Sequence, residues 1–154
     1  MAAEPPSNRG SDRDGRALLC PSAQPDMHGA HVLGVVTGDP SELLIAYLDE
    51  VVPVTDALTE LAAPAHPADV MRFSARCEES KCCHFDGRRC QLAQRVAEEL
   101  PAVVDALPEC LIRSECRWFQ QERRAACLRC PQIVTRNHTP SDLMTRVARV
   151  PLPE

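Results

Sequence analysis

Aromatic side chains are scarce in this sequence, at 3% of 154 residues, whereas proline occurs at 14 positions. A chain of this length suffices for one domain, but so few aromatic residues and so much proline leave limited material for a hydrophobic core. The mean hydropathy of -0.24 agrees with this. We therefore expect something besides apolar burial to stabilise the fold.

Long apolar runs are also absent. No segment approaches the roughly 18 consecutive apolar residues of a membrane helix, and the N-terminal stretch MAAEPPSNRGSDRDGRALLCPSAQPD contains no apolar core of a signal peptide. The sequence thus predicts a cytoplasmic protein that has reduced thiols and no membrane partner.

Several signatures of enzymes and of nucleic-acid-binding proteins are missing. The chain has no Gly-rich phosphate loop, no G-x-S-x-G elbow and no H-E-x-x-H motif. The formal net charge of -5 argues against a protein that coats nucleic acid, because such domains carry a positive excess. The sequence therefore predicts no catalytic residues and no small-molecule substrate, and it does not favour an enzyme.

Cysteine is abundant, with nine residues. Eight of them lie in a single stretch: Cys77, Cys82, Cys83, Cys90, Cys110, Cys116, Cys127 and Cys130. In a cytoplasmic protein such clustering favours a metal site or redox chemistry over a disulfide framework. The ninth, Cys20, lies apart from the others and is interpreted as an incidental free thiol.

Hydrophobic periodicity predicts a mainly α-helical domain, stabilised by a cysteine-bound cofactor and spanning about residues 31 to 150. The chain divides into four parts: a disordered N-terminal arm (1–28), a helical part with one short strand (31–76), a cysteine-rich cofactor-binding module (77–135), and a C-terminal helix with a tail (136–154). The short strand is HVLGVVTG, residues 31–38, which is rich in valine and followed by turn residues.

Six segments have helical features. The stretch after Ser41 places Leu43, Leu44, Tyr47 and Leu48 at helical spacing. The clearest helix runs from about residue 86 to 100, carries Cys90 in its first turn and ends at Pro101. Further helices are predicted over 66–77, over 101–110, over 111–130 and from Ser141 onward.

The cysteine spacing is C-x4-C-C-x6-C-x19-C-x5-C-x10-C-x2-C-P. This pattern matches neither of the common ferredoxin runs nor the C-x3-C-x2-C triplet of radical-SAM enzymes, but eight thiols suffice for two four-cysteine sites. A straight helix over 110–130 would separate Cys116 from Cys127 by about 16 Å along its axis. Either that segment breaks or the two cysteines serve different sites.

Not every thiol is an equally good candidate ligand. Cys127 and Cys130 are three residues apart, so their side chains can bind together. Cys82 and Cys83 are adjacent and point apart on regular structure, so only one is expected to reach a given centre. The preferred ligands are Cys77, Cys82, Cys90, Cys116, Cys127 and Cys130, with Cys83, Cys110 and His84 as possible additional ones.

Arginines accompany the C-terminal half of the cysteine-rich stretch. They are Arg113, Arg117, Arg123, Arg124 and Arg129. Positive charge of this kind stabilises thiolates and raises the potential of a bound anionic cluster. The same residues are equally compatible with a solvated helix face.

Three blocks of the chain, RFSARCEES, CCHFDGRRCQLAQRV and CRWFQQERRAACLRCPQIVT, lie within about residues 70 to 135. They resemble a group of uncharacterised bacterial cysteine-rich proteins that carry C…HFD…C and CRW…CxRCP blocks. The resemblance implies a bound metal or iron–sulfur cofactor and supplies no activity.

Three functions remain open at this point. The first is a small iron–sulfur protein, with a 4Fe-4S cluster, that transfers electrons to a partner enzyme or senses redox for it. The second is a structural zinc module that mediates protein or RNA interaction. The third is a thiol-disulfide protein that uses Cys127 and Cys130 as its redox pair.

Overall fold

The computed structural model describes residues 17–39 and 41–149. Four strands are present in this part of the chain: β1 (Leu19–Ala23), β2 (His31–Asp39), β3 (Glu42–Pro53) and β4 (Met71–Arg76). They form one antiparallel sheet in the order β1-β4-β2-β3. The α-helices are α1 (Asp56–Leu61), α2 (Pro67–Val70), α3 (Gln91–Glu99), α4 (Arg117–Glu122), α5 (Arg124–Cys127) and α6 (Asp142–Val147). Short 3-10 helices cover Glu79–Lys81, Arg113–Glu115 and Cys130–Gln132.

The prediction of a mainly α-helical fold is therefore wrong, and β3 shows the reason most clearly. This strand occupies the stretch where a helix was expected after Ser41. Val32 pairs with Val52 while Gly34 pairs with Tyr47, so five positions of β3 face two of β2. Leu43, Leu44 and Tyr47, whose spacing indicated a helix, lie before this bulge and pair with β2 in regular register. Pairing with the neighbouring strand thus overrides the local apolar pattern.

Two further segments that were not predicted as strands form strands in the structure. β1 lies inside the predicted disordered arm, of which residues 1–16 fall outside the described part of the chain. The helix predicted over 66–77 forms only as the short α2, which has His66 as its N-cap and Pro67 as its first residue. From Met71 the chain continues as β4. β4 lies between β1 and β2 and four of its six residues are buried, so the polar-apolar alternation of a half-exposed strand is lost.

The sequence predicted other elements correctly. The strand over 31–38 is present as β2, and the helices expected before Pro101 and after Ser141 are present as α3 and α6. No helix forms over 101–110, a stretch that the structure describes throughout. The 111–130 segment breaks at Arg123, whose φ of 59° separates α4 from α5.

The main core packs the helical half of the chain against the sheet. It contains Leu33 of β2, Val96 of α3, Trp118 of α4 and Val147 of α6, all of them buried. Buried Cys116 belongs to it as well, and partly buried cysteines pack against it: Cys90, Cys110 and Cys130. Among the described residues, no helix has the length and apolarity needed to cross a membrane.

Candidate functional site

All nine cysteines lie in the described part of the chain and are free thiols. Eight of them line two separate cavities. The first, of about 70 Å³, is lined by Cys20, Cys77, Cys82 and Cys90, here called the Cys20 group. The second, of about 20 Å³, is lined by Cys110, Cys116, Cys127 and Cys130, here called the Cys110 group. Both cavities exceed the roughly 10–15 Å³ that one water molecule needs.

The Cys20 group is assembled from the sheet and from the loop that precedes α3. β1 supplies Cys20, and Cys77 follows β4, where its backbone N–H donates to the carbonyl of Leu18. Cys82 ends the 3-10 turn after β4, and Cys90 is the N-cap of α3. Pairing of β1 with β4 is thus what brings Cys20 to thiols more than 50 residues away.

Backbone amides donate to three sulfurs of the Cys20 group. The donors are Ser22 N–H to Cys20, His84 N–H to Cys82 and Ala93 N–H to Cys90, each at 3.4 Å. Such donors stabilise the thiolate form and orient sulfur ligands around a bound metal or cluster.

The Cys110 group is assembled from the short helices of the C-terminal half. A 3-10 turn lies between Cys110 and Cys116, and Cys116 is the N-cap of α4. Cys127 is the last residue of α5, and Cys130 opens the following 3-10 helix. The break at Arg123 allows Cys116 and Cys127 to line one cavity, which a straight helix would prevent.

Arg72 of β4 is the main charged neighbour of the Cys110 group. It is 0% exposed, and its Nη2 donates to the Cys130 sulfur at 2.8 Å. Its other N–H groups donate to the carbonyls of Pro21, Cys130 and Ile133. Among the described residues, no carboxylate pairs with Arg72. Because a buried guanidinium needs a compensating anion, this position favours the binding of a negatively charged group in the cavity beside Arg72.

Two further side chains lie beside this group. Tyr47 of β3 lines the cavity together with Cys130, and burial, followed by the nearby Cys130, raises the pKa of the Tyr47 phenol. Gly34 pairs with Tyr47, and a Cβ on this glycine would lie 2.5 Å from Cγ2 of Ile45, so the close approach of β3 requires glycine. Arg113 lines the cavity beside Cys127, where burial raises the pKa of the Cys127 thiol and the guanidinium of Arg113 opposes this increase.

Burial opposes ionisation of these thiols. It raises the pKa of Cys20 to about 12 and that of Cys90 to about 11, and it raises the pKa of Cys116 well above its ordinary value. Four thiolates in one buried group therefore require a positively charged centre to offset desolvation and mutual repulsion.

The structure brings together most of the predicted ligands. All six preferred cysteines fall into one group or the other, and Cys110 joins the second. Of the adjacent pair, Cys82 lines the first cavity, while Cys83 is exposed and outside both groups. His84 also lines the first cavity, where burial and then Arg95 lower the pKa of its imidazole.

Sequence reasoning missed Cys20. The available signal was its Cys-Pro step, shared with Cys130 and Pro131 at the end of the cysteine-rich stretch. The spacing along the chain does not predict this ligand, because Cys20 is 57 residues from Cys77 and lies in a stretch without periodicity.

Some arginines of the C-terminal half lie beside the cysteine groups, and others lie on a solvated surface. Arg113 and Arg117 line the second and the first cavity respectively, and Arg117 is only 3% exposed. Arg123 and Arg124 are exposed on the surface. Nε of Arg113 and Nε of Arg117 are buried without a hydrogen-bond partner among the described residues.

A single metal ion fits less well. Within residues 17–39 and 41–149, no three His, Cys, Asp or Glu side chains are grouped so as to hold one metal ion. Four sulfurs on one zinc ion lie about 3.8 Å apart, given Zn–S bonds of about 2.3 Å. A cubane cluster places iron and sulfide between its ligands and so accepts more widely spaced thiolates.

The two groups lie close to each other. Cys20 lines the first cavity and Pro21 the second, and Trp118 lines both. Leu19 forms a parallel bridge with Cys116. Since bridged Cα atoms are about 5 Å apart and consecutive ones about 3.8 Å, the Cα atoms of Cys20 and Cys116 lie within about 9 Å.

The family named by the resemblance remains a prediction. Comparison with known proteins neither supports nor contradicts it, because no protein-family model, no curated protein and no solved structure matches this chain.

Proposed function

We propose that this chain is a small iron–sulfur protein that holds one 4Fe-4S cluster in each cysteine group and transfers electrons for a partner protein. The observation that carries this proposal is the division of eight thiols into two groups of four. Four cysteine thiolates are the ligand set that such a cluster takes.

The surroundings of the thiols support the proposal. Backbone amides donate to the Cys20 group, Arg72 donates to Cys130 in the Cys110 group, and Arg113 and Tyr47 line the cavity of that group. Hydrogen bonds to sulfur and nearby positive charge stabilise a cluster of net negative charge. Short separation between two clusters suits the passage of single electrons better than a purely structural role.

The other two functions have less support. Zinc would require a closer set of thiols than the described residues present. A disulfide-exchange role would place Cys127 at the open start of a helix, but Cys127 ends α5 and lines a cavity with three other thiols. We propose further that the protein works in the reducing cytoplasm with an electron-carrying protein as its partner and without nucleic acid.

Metal analysis is the first test. Protein purified without oxygen should be brown, with an absorption band near ~400 nm and about eight iron and eight sulfide per chain, as two 4Fe-4S clusters with four thiolate ligands each require. Colourless protein with stoichiometric zinc would overturn the proposal in favour of a structural zinc module. Metal-free protein that reduces disulfides would overturn it in favour of a thiol enzyme.

Cysteine variants test the allocation of ligands. Cys20→Ala and Cys116→Ala should each retain about half of the iron, because each removes one ligand of one four-thiolate site. Cys83→Ala is the matched control, since this exposed cysteine adjoins Cys82 and lies outside both groups; it should retain all of the iron. Full iron in Cys20→Ala together with loss in Cys83→Ala would contradict the allocation.

A further inference from the structure

The two groups differ in the kind of donor that reaches their sulfurs, and this difference bears on the proposed function. In the Cys20 group the donors are neutral backbone amides. In the Cys110 group the donor is charged, since the guanidinium of Arg72 donates to the Cys130 sulfur at 2.8 Å, and Arg113 and Tyr47 line the same cavity.

The balance of nearby charge differs in the same direction. At the Cys20 group, buried Arg117 is paired with Glu79 at 3.3 Å, and Glu78 lines the cavity as well. Arg76 also lines this cavity but is exposed to solvent. At the Cys110 group, Arg72 is fully buried and has no carboxylate partner among the described residues, and no Asp or Glu lines that cavity.

A reduced cluster carries one more negative charge than an oxidised one. Buried cationic donors therefore stabilise the reduced state and raise the reduction potential, and they act more strongly where the dielectric constant is low. Resting on the proposed function, we infer that the cluster of the Cys110 group has the higher potential and accepts electrons from the cluster of the Cys20 group.

The surroundings of the Cys20 group suit it to receive the electron from outside. A cleft of about 750 Å³ is lined by Cys82, His84 and exposed Cys83, and thus extends to the edge of this group. From there the route to the second group is short. Leu19 bridges to Cys116, and the ring of Trp118 borders both cavities.

The step moves one electron and no atoms. A low-potential one-electron carrier protein would supply the electron at the Cys20 group, whose thiolates would hold the first cluster. The Cys110 group would hold the second cluster, where buried Arg72 beside Cys130 would stabilise the added negative charge, so the electron that the carrier loses is the one that this group gains. No bond forms or breaks, and no proton transfer is required.

Redox titration of the iron-loaded full chain, monitored by electron paramagnetic resonance, tests the inference. The wild type should show two cluster signals with separate potentials. Arg72→Met removes the charge at similar length and should shift the higher potential to a more negative value while leaving the lower one in place. Arg72→Lys keeps the charge and should shift it less.

Two more variants allow the inference to be tested even if replacement of buried Arg72 prevents folding. Tyr47→Phe removes only a hydroxyl from the lining of the cavity that contains Cys130 and should lower the same potential by a smaller amount. Arg117→Met, at the Cys20 group, should leave the higher potential unchanged. The inference is overturned if Tyr47→Phe and the Arg72 variants shift the lower potential, or neither potential.

The outcomes for the inference and for the proposed function are distinguishable. Absence of iron, or zinc in its place, refutes the iron–sulfur assignment itself. Two clusters whose order of potentials is the reverse of that inferred leave the assignment intact and refute only the direction of transfer.

Discussion

At the scale of single residues, Arg123 has an unusual backbone conformation. Its φ of 59° and ψ of -141° lie in a region that residues with a side chain rarely adopt. This conformation ends α4, starts α5 and folds Cys127 back toward Cys116. The strain is therefore located at the turn that completes the Cys110 group.

Glycine should relieve this strain, whereas alanine should not. We expect Arg123→Gly to have a free energy of unfolding about 1 kcal/mol higher than Arg123→Ala, the reverse of their ordinary order in helices. Both variants lose the contact of the guanidinium with the Phe119 ring at 5.5 Å, so comparing them isolates the backbone effect. Denaturant unfolding of the two proteins measures it; equal or greater stability of the alanine variant would exclude strain at this position.

At the scale of elements, α6 depends on contacts at both of its ends. The Ser141 hydroxyl accepts from the N–H of Met144 at 3.0 Å. At the other end, Nε of Arg95 donates to the carbonyl of Val147 at 2.7 Å, and the Val147 side chain is 0% exposed in the core. Both contacts anchor a six-residue helix that would be too short to form alone.

We expect Ser141→Ala to lower the free energy of unfolding by about 1 kcal/mol, because it leaves an N-terminal N–H of α6 without its acceptor. Ser114→Ala is a suitable control: this serine is exposed, and its hydroxyl makes no hydrogen bond within the described residues. The control should stay within about 0.5 kcal/mol of the wild type. A similar loss in both variants, measured by urea unfolding, would rule out a specific capping effect.

At the scale of the whole molecule, Trp118 connects the two cysteine groups to the core. It is the single tryptophan of the chain, is 2% exposed and borders both cysteine cavities. Bound clusters absorb light at wavelengths where tryptophan emits, so they should quench Trp118 by energy transfer. We expect chelation of the iron to increase tryptophan fluorescence.

The same treatment should lower the thermal unfolding midpoint, because cysteines of both groups pack against the main core and a bound cofactor stabilises the folded state. Fluorescence and calorimetry on the loaded and the iron-free protein test this. Cys20→Ala and Cys116→Ala should each retain part of the quenching. Unchanged emission and an unchanged midpoint after iron removal would place the iron away from Trp118.

The sequence predicted the elements that local interactions define. α3 has Cys90 as its N-cap and ends before Pro101, and α6 begins after a serine cap, so each boundary depends on residues within one turn, although α3 starts five residues later than the predicted start at about residue 86. β3 could not be predicted in this way. Its conformation depends on pairing with β2 and on a bulge opposite Val32 and Gly34, both of which are properties of the sheet.

By itself, the sequence determined that this chain is rich in clustered thiols, that seven of them were candidate ligands of the groups now described, and that Cys127 and Cys130 can act together. Only the tertiary structure decided how the thiols divide. Cys20 enters its group because β1 pairs with β4. Arg72 reaches the Cys130 sulfur across 58 positions of the chain. Contacts of this kind are set by strand pairing and core packing between distant segments, and the spacing of residues along the chain does not encode them.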